Sequence, residues 1–560
     1  MKFLLAVTIF FLCLGSSPLA AQCYRDFFSK GRQAYRSLKF EDAITQFKAA
    51  QVCPDITQRQ RLEVADWISK AQSGYIEAIK SAQLKAEEAR KDAEVARAQA
   101  VANELQARKN ALITEANRLA FLADQELERR NLSDGLSLAY RSYHSIEDSL
   151  IAKVKISFGN AVYENYRREL EIPDQTILGG AIAPSAGRII TYSSGNTAML
   201  WNRNGNQVAG LKGHEGPVTF VTISPGGDQF ITCSTDQTAM VWGTDGNRVI
   251  ALRGHSDEVS GAAFAPVGDR LLTWSRDGSA RLWDNKGNAI NMLRGHDAPV
   301  LEAQYAAGGQ HILTRSADKS VRVWDQNGFL WSDAIRHTAH IYSAKFSPDG
   351  QLLVTASADG TAKLWNLKGQ LIRTLSQNGG PVTCADFSPD GQYILTADAE
   401  GKAIIWDTGG REIIRINAHK DWISDAAFSP SGDYLFFTES KDGSVKLWDL
   451  SGKTVANFHR HTARIIRTQF SPDGYYLMSC AEDGNTKVWD LHGDVVMDIQ
   501  GNGNVPVEGR FSPDGDWVLS VQKGQKAIFC PTPWSIYEQL KENGPPQLSE
   551  EKLQQYGILR

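Results

Sequence analysis

Long apolar runs are scarce in this sequence of 560 residues. The first, at residues 3–14, is twelve residues long, and no later run reaches the roughly eighteen that a membrane-spanning helix needs. Basic clusters are scarce too: the formal net charge is -4, the isoelectric point is near 6.3, and no segment interleaves lysine or arginine with aromatic residues. We therefore expect no transmembrane segment after removal of the first residues, and no nucleic-acid partner.

Motifs of common catalytic sites are missing as well. The sequence has no Gly-x-Ser-x-Gly elbow, no His-Glu-x-x-His pair and no complete calcium-binding loop. His337 and His340 stand close together, but no third ligand follows at a spacing that would coordinate a metal ion. We therefore predict no metal, no cofactor and no catalytic residue, and expect that the protein is not an enzyme.

The first 21 residues have the pattern of a signal peptide. A lysine precedes the apolar run at 3–14, and small residues at 19–21 offer a cleavage site. We expect an exported protein, periplasmic or secreted. Cleavage there would leave Cys23 as the second residue, within a segment that superficially resembles a lipidation signal. Gln22 is a poor residue before a lipidated cysteine, so simple export is the favoured interpretation and a lipid anchor is the alternative.

The sequence has only seven cysteines. Cys23 and Cys53 bracket a predicted pair of antiparallel helices, whose ends lie close in space. Because export leads to an oxidising compartment, we predict a possible disulfide between them. Four further cysteines fall in predicted strands and are expected to be small buried hydrophobic residues: Cys233, Cys384, Cys480 and Cys530.

Residues 75–134 contain no glycine and no proline, and alanine, glutamate, lysine, arginine and glutamine dominate. This composition predicts one long helix or two. Alternating steps of three and four form a heptad seam at Ile79, Ala82, Ala86, Ala89, Ala93, Ala96 and Ala100. Alanines bury little area, so two interpretations stay open: a stalk through which copies of the chain associate, and a solvated spacer helix.

The C-terminal two thirds of the chain repeat one unit about 41 residues long. Nine units end on an aromatic residue at the same phase: Trp201, Trp242, Trp283, Trp324, Trp365, Trp406, Trp448, Trp489 and Phe529. Such a period indicates a structure built from stacked copies of one supersecondary unit.

One unit predicts four strands joined by tight turns. The strands fit residues 341–346, 352–357, 361–365 and 371–375. Pro348 and Gly350 favour a turn after the first strand, and Gly360 favours one after the second. Each four-stranded sheet has two faces and cannot bury both alone, so the copies are expected to stack face to face in a ring.

Two dipeptides recur at fixed places in these units. Gly-His precedes three units, at Gly213-His214, Gly254-His255 and Gly295-His296, and Trp-Asp ends five, as at Trp283-Asp284. With these marks the chain resembles the WD40 family of β-propellers. The resemblance implies an all-β propeller of eight or nine blades, preceded by an α-helical region.

The resemblance also implies a hydrogen-bonded set of His, Ser or Thr, Asp and Trp inside each blade. The matching residues are His214, Ser234, Asp236 and Trp242; His255, Ser275, Asp277 and Trp283; His296, Ser316, Asp318 and Trp324; His337, Ser357, Asp359 and Trp365; and His419, Ser440, Asp442 and Trp448. Three departures are expected. The unit of His461 has Ala481 in place of the hydroxyl, the sixth unit has Asn378 and Glu400, and the first and last units lack the set.

The number of blades depends on how the ring closes. Residues 169–172 stand where a strand would precede the first unit, and residues 537–540 look helical where the ninth unit needs its fourth strand. We expect the early strand to complete the last blade and remove the free edges. Nine blades follow from the count, and eight with one degenerate unit packed outside is the alternative.

The remaining segments are predicted to be helical. Residues 27–54 resemble one tetratricopeptide repeat at Gly31, Ala43, Phe47 and Ala50, and an ordinary helical hairpin is the alternative. The predicted boundaries are a signal peptide at 1–21, the hairpin at 22–70, a long helix and linker at 71–168, the propeller at 169–530 and a helical tail at 531–560.

Function is expected on the face of the ring that carries the histidine loops. In WD40 propellers, residues beside the first apolar position of the first strand point onto this face. Here they include Tyr342, Trp422, Arg464 and Ile466, residue types that dominate binding hot spots. We therefore predict a non-catalytic scaffold of the bacterial cell envelope that captures a protein or peptide. A hydrolase or lyase acting on envelope polymers and a glycan-binding module are the alternatives.

Overall fold

The computed structural model describes residues 17–54, 56–145, 152–184, 187–267, 270–332, 335–376, 380–501, 506–524 and 526–558. Most of the predicted signal peptide and Asn378 lie outside these ranges. The chain forms two compact units, Met1–Ala111 and Leu112–Arg560. No helix among the described residues is both long enough and apolar enough to cross a membrane.

The first unit consists of helices α1 (Ser17–Arg36), α2 (Phe40–Gln51) and the N-terminal part of α3 (Gln58–Glu128). Phe47 is fully buried and stacks on Trp67 of α3, with ring centroids 5.6 Å apart. A Cβ on Gly31 would lie 2.6 Å from the Phe47 ring, so α1 can approach α2 this closely only with glycine at that position. The core therefore needs three helices, one more than the predicted hairpin.

Cys23 and Cys53 form a disulfide in this unit, with Cα atoms 6.1 Å apart. Cys23 lies within α1, not at its start as the sequence predicts. Beyond this core, every residue of α3 from 76 to 112 is exposed, including the alanine seam. Exposed ion pairs one helical turn apart line this stretch, such as Arg108 with Glu104 at 2.7 Å. The exposed seam leaves both predicted interpretations of this helix open.

The second unit begins with a packed group of helices. The C-terminal end of α3 packs with α4 (Leu132–His144), α5 (Ala152–Tyr166), α6 (Pro533–Asn543) and α7 (Glu550–Gln555) around Leu136, Phe158 and Tyr537. The C-terminal tail thus packs against the segment that precedes the propeller. Burial of these apolar side chains away from water stabilises the arrangement.

Within the described ranges, 36 strands form nine four-stranded antiparallel sheets. Blades 1 to 4 are β2–β5 (Ile177–Ile182, Arg188–Ser193, Ala198–Asn202, Gln207–Leu211), β6–β9 (Val218–Ile223, Gln229–Ser234, Thr238–Gly243, Arg248–Arg253), β10–β13 (Val259–Phe264, Arg270–Ser275, Ala280–Asp284, Ala289–Leu293) and β14–β17 (Val300–Tyr305, His311–Ser316, Ser320–Asp325, Ile335–Arg336).

Blades 5 to 8 are β18–β21 (Ile341–Phe346, Leu352–Ser357, Thr361–Asn366, Leu371–Ser376), β22–β25 (Val382–Phe387, Tyr393–Asp398, Lys402–Asp407, Glu412–Asn417), β26–β29 (Ile423–Phe428, Phe436–Ser440, Val445–Trp448, Thr454–Phe458) and β30–β33 (Ile465–Phe470, Tyr476–Ala481, Asn485–Asp490, Val495–Gln500). Blade 9 consists of β34–β36 (Pro506–Phe511, Trp517–Gln522, Lys526–Pro531) and β1 (Arg168–Glu171).

The ring closes through β1, which pairs antiparallel with β36. Leu170 of β1 is fully buried opposite Ala527, and Lys526 lies 2.8 Å from Glu169. The early strand therefore completes the last blade, and the nine-blade count is confirmed. The eight-blade alternative is wrong, because the ninth unit supplies three strands of its own and borrows the fourth.

Successive blades pack face to face. In the cluster between blades 1 and 2, Leu200 of β4 packs with Phe230 of β7 and Trp242 of β8, all nearly without exposure. The tryptophan that marks each unit thus fills the space against the preceding blade. First strands such as β6 and β10, or β22 and β26, lie next to each other. They line the centre of the ring.

Candidate functional site

The loop before each first strand and the turn between the second and third strands lie at the same end of a blade, because neighbouring strands are antiparallel. We call this end of the ring the histidine-loop face. In six of the described blades this loop is tied to the sheet by hydrogen bonds of a histidine side chain. In blade 2, His214 Nδ1 lies 2.9 Å from Asp236 Oδ2, and its Nε2 lies 2.8 Å from Thr232 Oγ1.

The same threonine hydroxyl accepts a 2.9 Å hydrogen bond from Trp242 Nε1. The carboxylate of Asp236 can only accept, so the ring nitrogen that faces it carries the proton, and the threonine hydroxyl can then donate to His214 Nε2 while it accepts from the indole. This assigns a neutral imidazole with its proton on Nδ1, facing the carboxylate of Asp236. The arrangement recurs in five more blades, at His255, Thr273, Asp277 and Trp283; His296, Thr314, Asp318 and Trp324; His337, Thr355, Asp359 and Trp365; His419, Thr438, Asp442 and Trp448; and His461, Ser479, Asp483 and Trp489.

The predicted serines do not supply the bridging hydroxyl. Ser234 donates instead to the Gly216 carbonyl oxygen and accepts from the Asp236 backbone N–H, so it holds the loop and the turn in place. Residues two apart on a strand share a face, and the imidazole reaches past Ser234 to the hydroxyl deeper in the sheet. The same correction applies to Ser275, Ser316, Ser357 and Ser440.

The predicted departures also change in detail. The blade of His461 does have its hydroxyl, because Ser479 lies 2.8 Å from both His461 Nε2 and Trp489 Nε1. In blade 6, Glu400 is exposed and pairs with Lys402 at 2.7 Å, so it does not take the place of the network aspartate. Blades 1 and 6 keep the inner half of the set, as Trp201 donates to Thr191 and Trp406 to Thr396.

Burial sets the protonation of these networks. Desolvation lowers the pKa of His214, although the hydrogen bond and charge of Asp236 act in the opposite direction. The pKa is lowered in the same way for His296, His337, His419 and His461. Burial opposes ionisation of Asp236, but hydrogen bonds from Thr238, Glu215 and the imidazole together lower its pKa. At neutral pH these five sets therefore consist of neutral imidazoles and ionised carboxylates.

Two of the predicted binding residues meet near the centre of the histidine-loop face. The rings of Tyr342 (blade 5) and Trp422 (just before blade 7) have centroids 6.3 Å apart and an interplanar angle of 76°. His340 packs edge-on against Tyr342 at 5.2 Å, and Lys441 Nζ lies 4.0 Å from the centroid of a Trp422 ring. Both aromatic side chains remain half-buried. We call Tyr342 and Trp422 the aromatic pair.

The other two predicted residues lie on blade 8. Arg464 is exposed and lies 4.0 Å from Glu482, while Ile466 is 37% exposed. Ile466 also lines a cavity of about 680 Å³ between blades 7 and 8, together with Ser424, Asp425 and Glu439. Sequence reasoning missed the two carboxylates of this cavity. The repeat could have revealed Glu439, because it is acidic at a position where other blades have small uncharged residues. These are Cys233, Ala356, Ala397 and Cys480.

These two carboxylates differ from the other acidic residues of the inner strands. Asp386 pairs with Lys345 at 2.9 Å, and Glu508 with Arg510 at 2.6 Å. Desolvation raises the pKa of Asp425, partly offset by the charge of Lys345, and raises the pKa of Glu439, partly offset by a hydrogen bond from Ser424. No group of three or more His, Cys, Asp or Glu side chains among the described residues is arranged to hold a metal ion.

The nine stacked sheets and their His-Thr-Asp-Trp sets define a WD40-type β-propeller. The family model described as the IFT122 first beta-propeller matches residues 177–437 and 274–530, which together span more than half of the chain. The chain therefore belongs to this propeller family. No curated protein matches the chain significantly.

Proposed function

We propose that this protein is an exported, non-catalytic scaffold of the bacterial cell envelope that captures a protein or peptide at the centre of the histidine-loop face. The observation that carries this proposal is the aromatic pair. Tyr342 and Trp422 come from blades 5 and 7 and touch across blade 6, so the ring of blades alone creates the patch.

The chemistry of the patch fits recognition of a protein. Aromatic residues offer a large contact area at a low cost in conformational entropy, and tyrosine and tryptophan are enriched at binding hot spots. Lys441 Nζ lies over one face of Trp422 and Tyr342 packs at 76° to the indole, so at most one face can stack on a flat ligand and a cation stands beside the pair. This geometry favours a protein or peptide over a sugar ring that would stack on the indole.

Export is supported by the apolar run at residues 3–14 and by the disulfide between Cys23 and Cys53. The exposed stretch of α3 from 76 to 112 supports a role in spacing the propeller or in bringing copies of the chain together. Association through this helix belongs to the same proposal, because its heptad seam is exposed along residues 76–112.

The test compares three forms of the full-length protein in the cell that makes it. The first is the wild type, the second is Tyr342→Ala with Trp422→Ala, and the third is Tyr475→Ala with Phe329→Ala. Tyr475 and Phe329 are 61% and 64% exposed and lie on turns at the opposite end of the blades, so they make a matched aromatic control. Crosslinking followed by mass spectrometry identifies the captured proteins.

We expect the wild type and the control to crosslink the same partner. The yield of that crosslinked partner should fall at least about tenfold in the aromatic-pair variant, because truncation of a hot-spot residue costs roughly 2 kcal/mol of binding free energy. Melting temperatures of all three should agree within a few degrees, which excludes unfolding as the cause. An identical set of crosslinked proteins for all three forms would refute the proposal.

A second function is favoured by Asp425 and Glu439, since carboxylates with raised pKa beside a cavity are typical of general acids and bases. They would serve a hydrolase or lyase acting on envelope polymers. Incubating the purified protein with peptidoglycan fragments, with Glu439→Gln as the comparison, separates the two functions. Turnover by the wild type that the variant lacks would favour the enzyme.

A further inference from the structure

The nine blades repeat one cross-strand position on the inner surface of the ring. In blade 4 this position holds Glu302 opposite Arg315, and the two side chains form an ion pair at 3.1 Å. In blade 7 the same position holds Asp425 opposite Glu439, two carboxylates and no cation. Like charges directly opposite each other on neighbouring strands destabilise a sheet. At this position blade 4 therefore has an acid and its cation, whereas blade 7 has acids only.

The fold itself does not require these carboxylates. At the same register blade 2 pairs Phe220 with Cys233, blade 5 pairs Ser343 with Ala356, and blade 6 pairs Cys384 with Ala397. Uncharged side chains therefore satisfy the backbone geometry equally well. The cost of placing two acids at this position indicates a role outside the packing of the sheet.

Glu439 is only 2% exposed, and its hydrogen bonds are incomplete. Ser424 Oγ donates to Oε1 at 2.8 Å, whereas Oε2 is buried without a partner among the described residues. Thr468 is 3% exposed and lies close enough to Glu439 for a side-chain hydrogen bond that lowers the pKa of the carboxyl, but within the described part of the chain neither its Oγ1 nor Glu439 Oε2 reaches the geometry of a full hydrogen bond. A buried polar atom left unpaired destabilises the folded state, and more so when the atom carries charge.

The nearest cations are already committed to other carboxylates. Lys345 pairs with Asp386 at 2.9 Å, and Arg467 lies 3.5 Å from Glu508, which Arg510 also contacts. Arg467 lines the cavity, and its charge lowers the pKa of Asp425 only in part. Lys345 and Arg467 act on Asp425, and Arg464 acts on Glu439, only through longer-range charge, and no described side chain forms an ion pair with either acid of blade 7.

The cavity can hold an apolar group as well as a charged one. Its volume is about 680 Å³, and Phe428, Phe437 and Ile466 contribute apolar wall beside the carboxylates. A chain of three or four methylene groups ending in a cation matches this combination, because the stem buries apolar area while the head meets negative charge.

We propose that this cavity receives a lysine or arginine side chain of the captured protein, with Asp425 and Glu439 as its counter-ions and Ile466 packing on its stem. The inference rests on the proposed scaffold function and names the chemistry of its partner: a protein that presents an exposed basic residue to the centre of the histidine-loop face.

The probes are n-butylammonium chloride and n-butylguanidinium chloride, with 1-butanol as the uncharged analogue. Binding to the full-length protein is followed through the methyl NMR signal of Ile466. The variants are Glu439→Gln and Asp425→Asn, which keep size and shape but remove charge. Glu302→Gln is the matched control, because it removes a carboxylate from the same register where Arg315 already supplies the cation.

We expect millimolar binding of at least one cationic probe, about tenfold weaker binding by each blade 7 variant, and no saturable binding of 1-butanol. The control should bind within twofold of the wild type. Equal binding by Glu439→Gln, or equal binding of the alcohol, would overturn the inference. Probe binding that is seen in Arg467→Met but not in the wild type would also overturn the inference, because Arg467 would then be the natural counter-ion of the two carboxylates.

The two proposals fail separately. The variant lacking Tyr342 and Trp422 should lose the protein partner and keep probe binding. The variants of Asp425 and Glu439 should bind the probe about tenfold more weakly and retain about one tenth or less of the partner affinity. Partner capture that depends on the aromatic pair but not on the carboxylates would overturn the cavity inference alone. If the cavity binds the probe but the variant lacking Tyr342 and Trp422 still captures the partner, only the proposed binding face would be overturned.

Discussion

Thr232 Oγ1 lies 2.8 Å from Nε2 of His214, which makes this threonine the link between the histidine loop and the core of its blade. Because the same hydroxyl accepts from Trp242, one side chain satisfies two buried ring nitrogens. Loss of the hydroxyl would leave both unpaired. The loop that forms the binding face is thus held by a bond inside the sheet.

The first prediction concerns this bond. Thr232→Val keeps the shape of the side chain and should destabilise the propeller by about 2 kcal/mol or more, because two buried polar groups lose their partner. A double-mutant cycle with Trp242→Phe should give a coupling of about 1 kcal/mol. Chemical unfolding followed by tryptophan fluorescence measures both values.

Ser234→Ala provides the control, since Ser234 bonds the Gly216 carbonyl and the Asp236 N–H but neither ring. Its effect should add to that of Trp242→Phe within about 0.5 kcal/mol. A coupling as large as that of Thr232 would show that the assignment of the bridging hydroxyl is wrong.

The second prediction concerns acid. The pKa values of His214, His296, His337, His419 and His461 are lowered by burial from 6.5, so the unfolded chain binds protons more readily than the folded protein. Their contribution to stability is present above about pH 6.5 and is lost as the pH falls towards the folded pKa values. The network aspartates, such as Asp236, have a lowered pKa and lose their contribution below pH 3.8.

Proton NMR of the imidazoles measures the folded pKa values directly, and each of these five rings should titrate below pH 6.5. Melting temperatures should fall between pH 7.5 and pH 5. Asp425 and Glu439 act in the opposite direction, because a raised pKa favours the folded state as they protonate. The double variant Asp425→Asn with Glu439→Gln should therefore show a steeper fall. A flat stability profile, with rings that titrate at or above pH 6.5, would contradict the prediction.

The sequence predicts the propeller because its signal is redundant. Each unit repeats its turn residues and ends on an aromatic residue at the same phase, so errors at one unit do not change the period. Closure by the early strand also follows from sequence, since the ninth unit has no run that could form its fourth strand. These features depend on local patterns of residues, which can be read from one sequence.

The binding site could be predicted only in part. Tyr342 and Trp422 could each be placed on the histidine-loop face, but their contact depends on the angle between blades 5 and 7, which no local pattern encodes. Glu439 was missed because an acidic residue in a strand looks like a solvated one until its opposite residue is known. The sequence also could not decide whether Thr232 or Ser234 supplies the hydroxyl that bridges His214 and Trp242, because both side chains lie on the same face of one strand.

The third prediction concerns ring closure. Leu170→Asp should destabilise the propeller by at least about 3 kcal/mol, because it places an unpaired charge in a fully buried position between β1 and β36. Glu169→Gln is the control. This substitution changes the same strand as Leu170, removes only an exposed ion pair to Lys526, and should leave the free energy of unfolding almost unchanged. Equal effects in chemical unfolding would mean that β1 does not hold the ring closed.

The fourth prediction concerns the disulfide between Cys23 and Cys53, which closes a loop with a sequence separation of 30. Reduction should raise the mass by two hydrogens and destabilise the first unit by about 3 kcal/mol, since the unfolded loop regains conformational freedom. Intact mass spectrometry and a melt followed by circular dichroism measure these effects.

The other described cysteines provide an internal control for that experiment. Burial raises the pKa of the Cys480 and Cys530 thiols to about 12, and Cys233 and Cys384 are shifted in the same direction. A thiol reagent should leave all four unmodified in the folded protein, before and after reduction, because only the thiolate reacts. Two new modifications after reduction therefore report the bond. A lipid on Cys23 would exclude the bond, and two free thiols in the exported protein would contradict it.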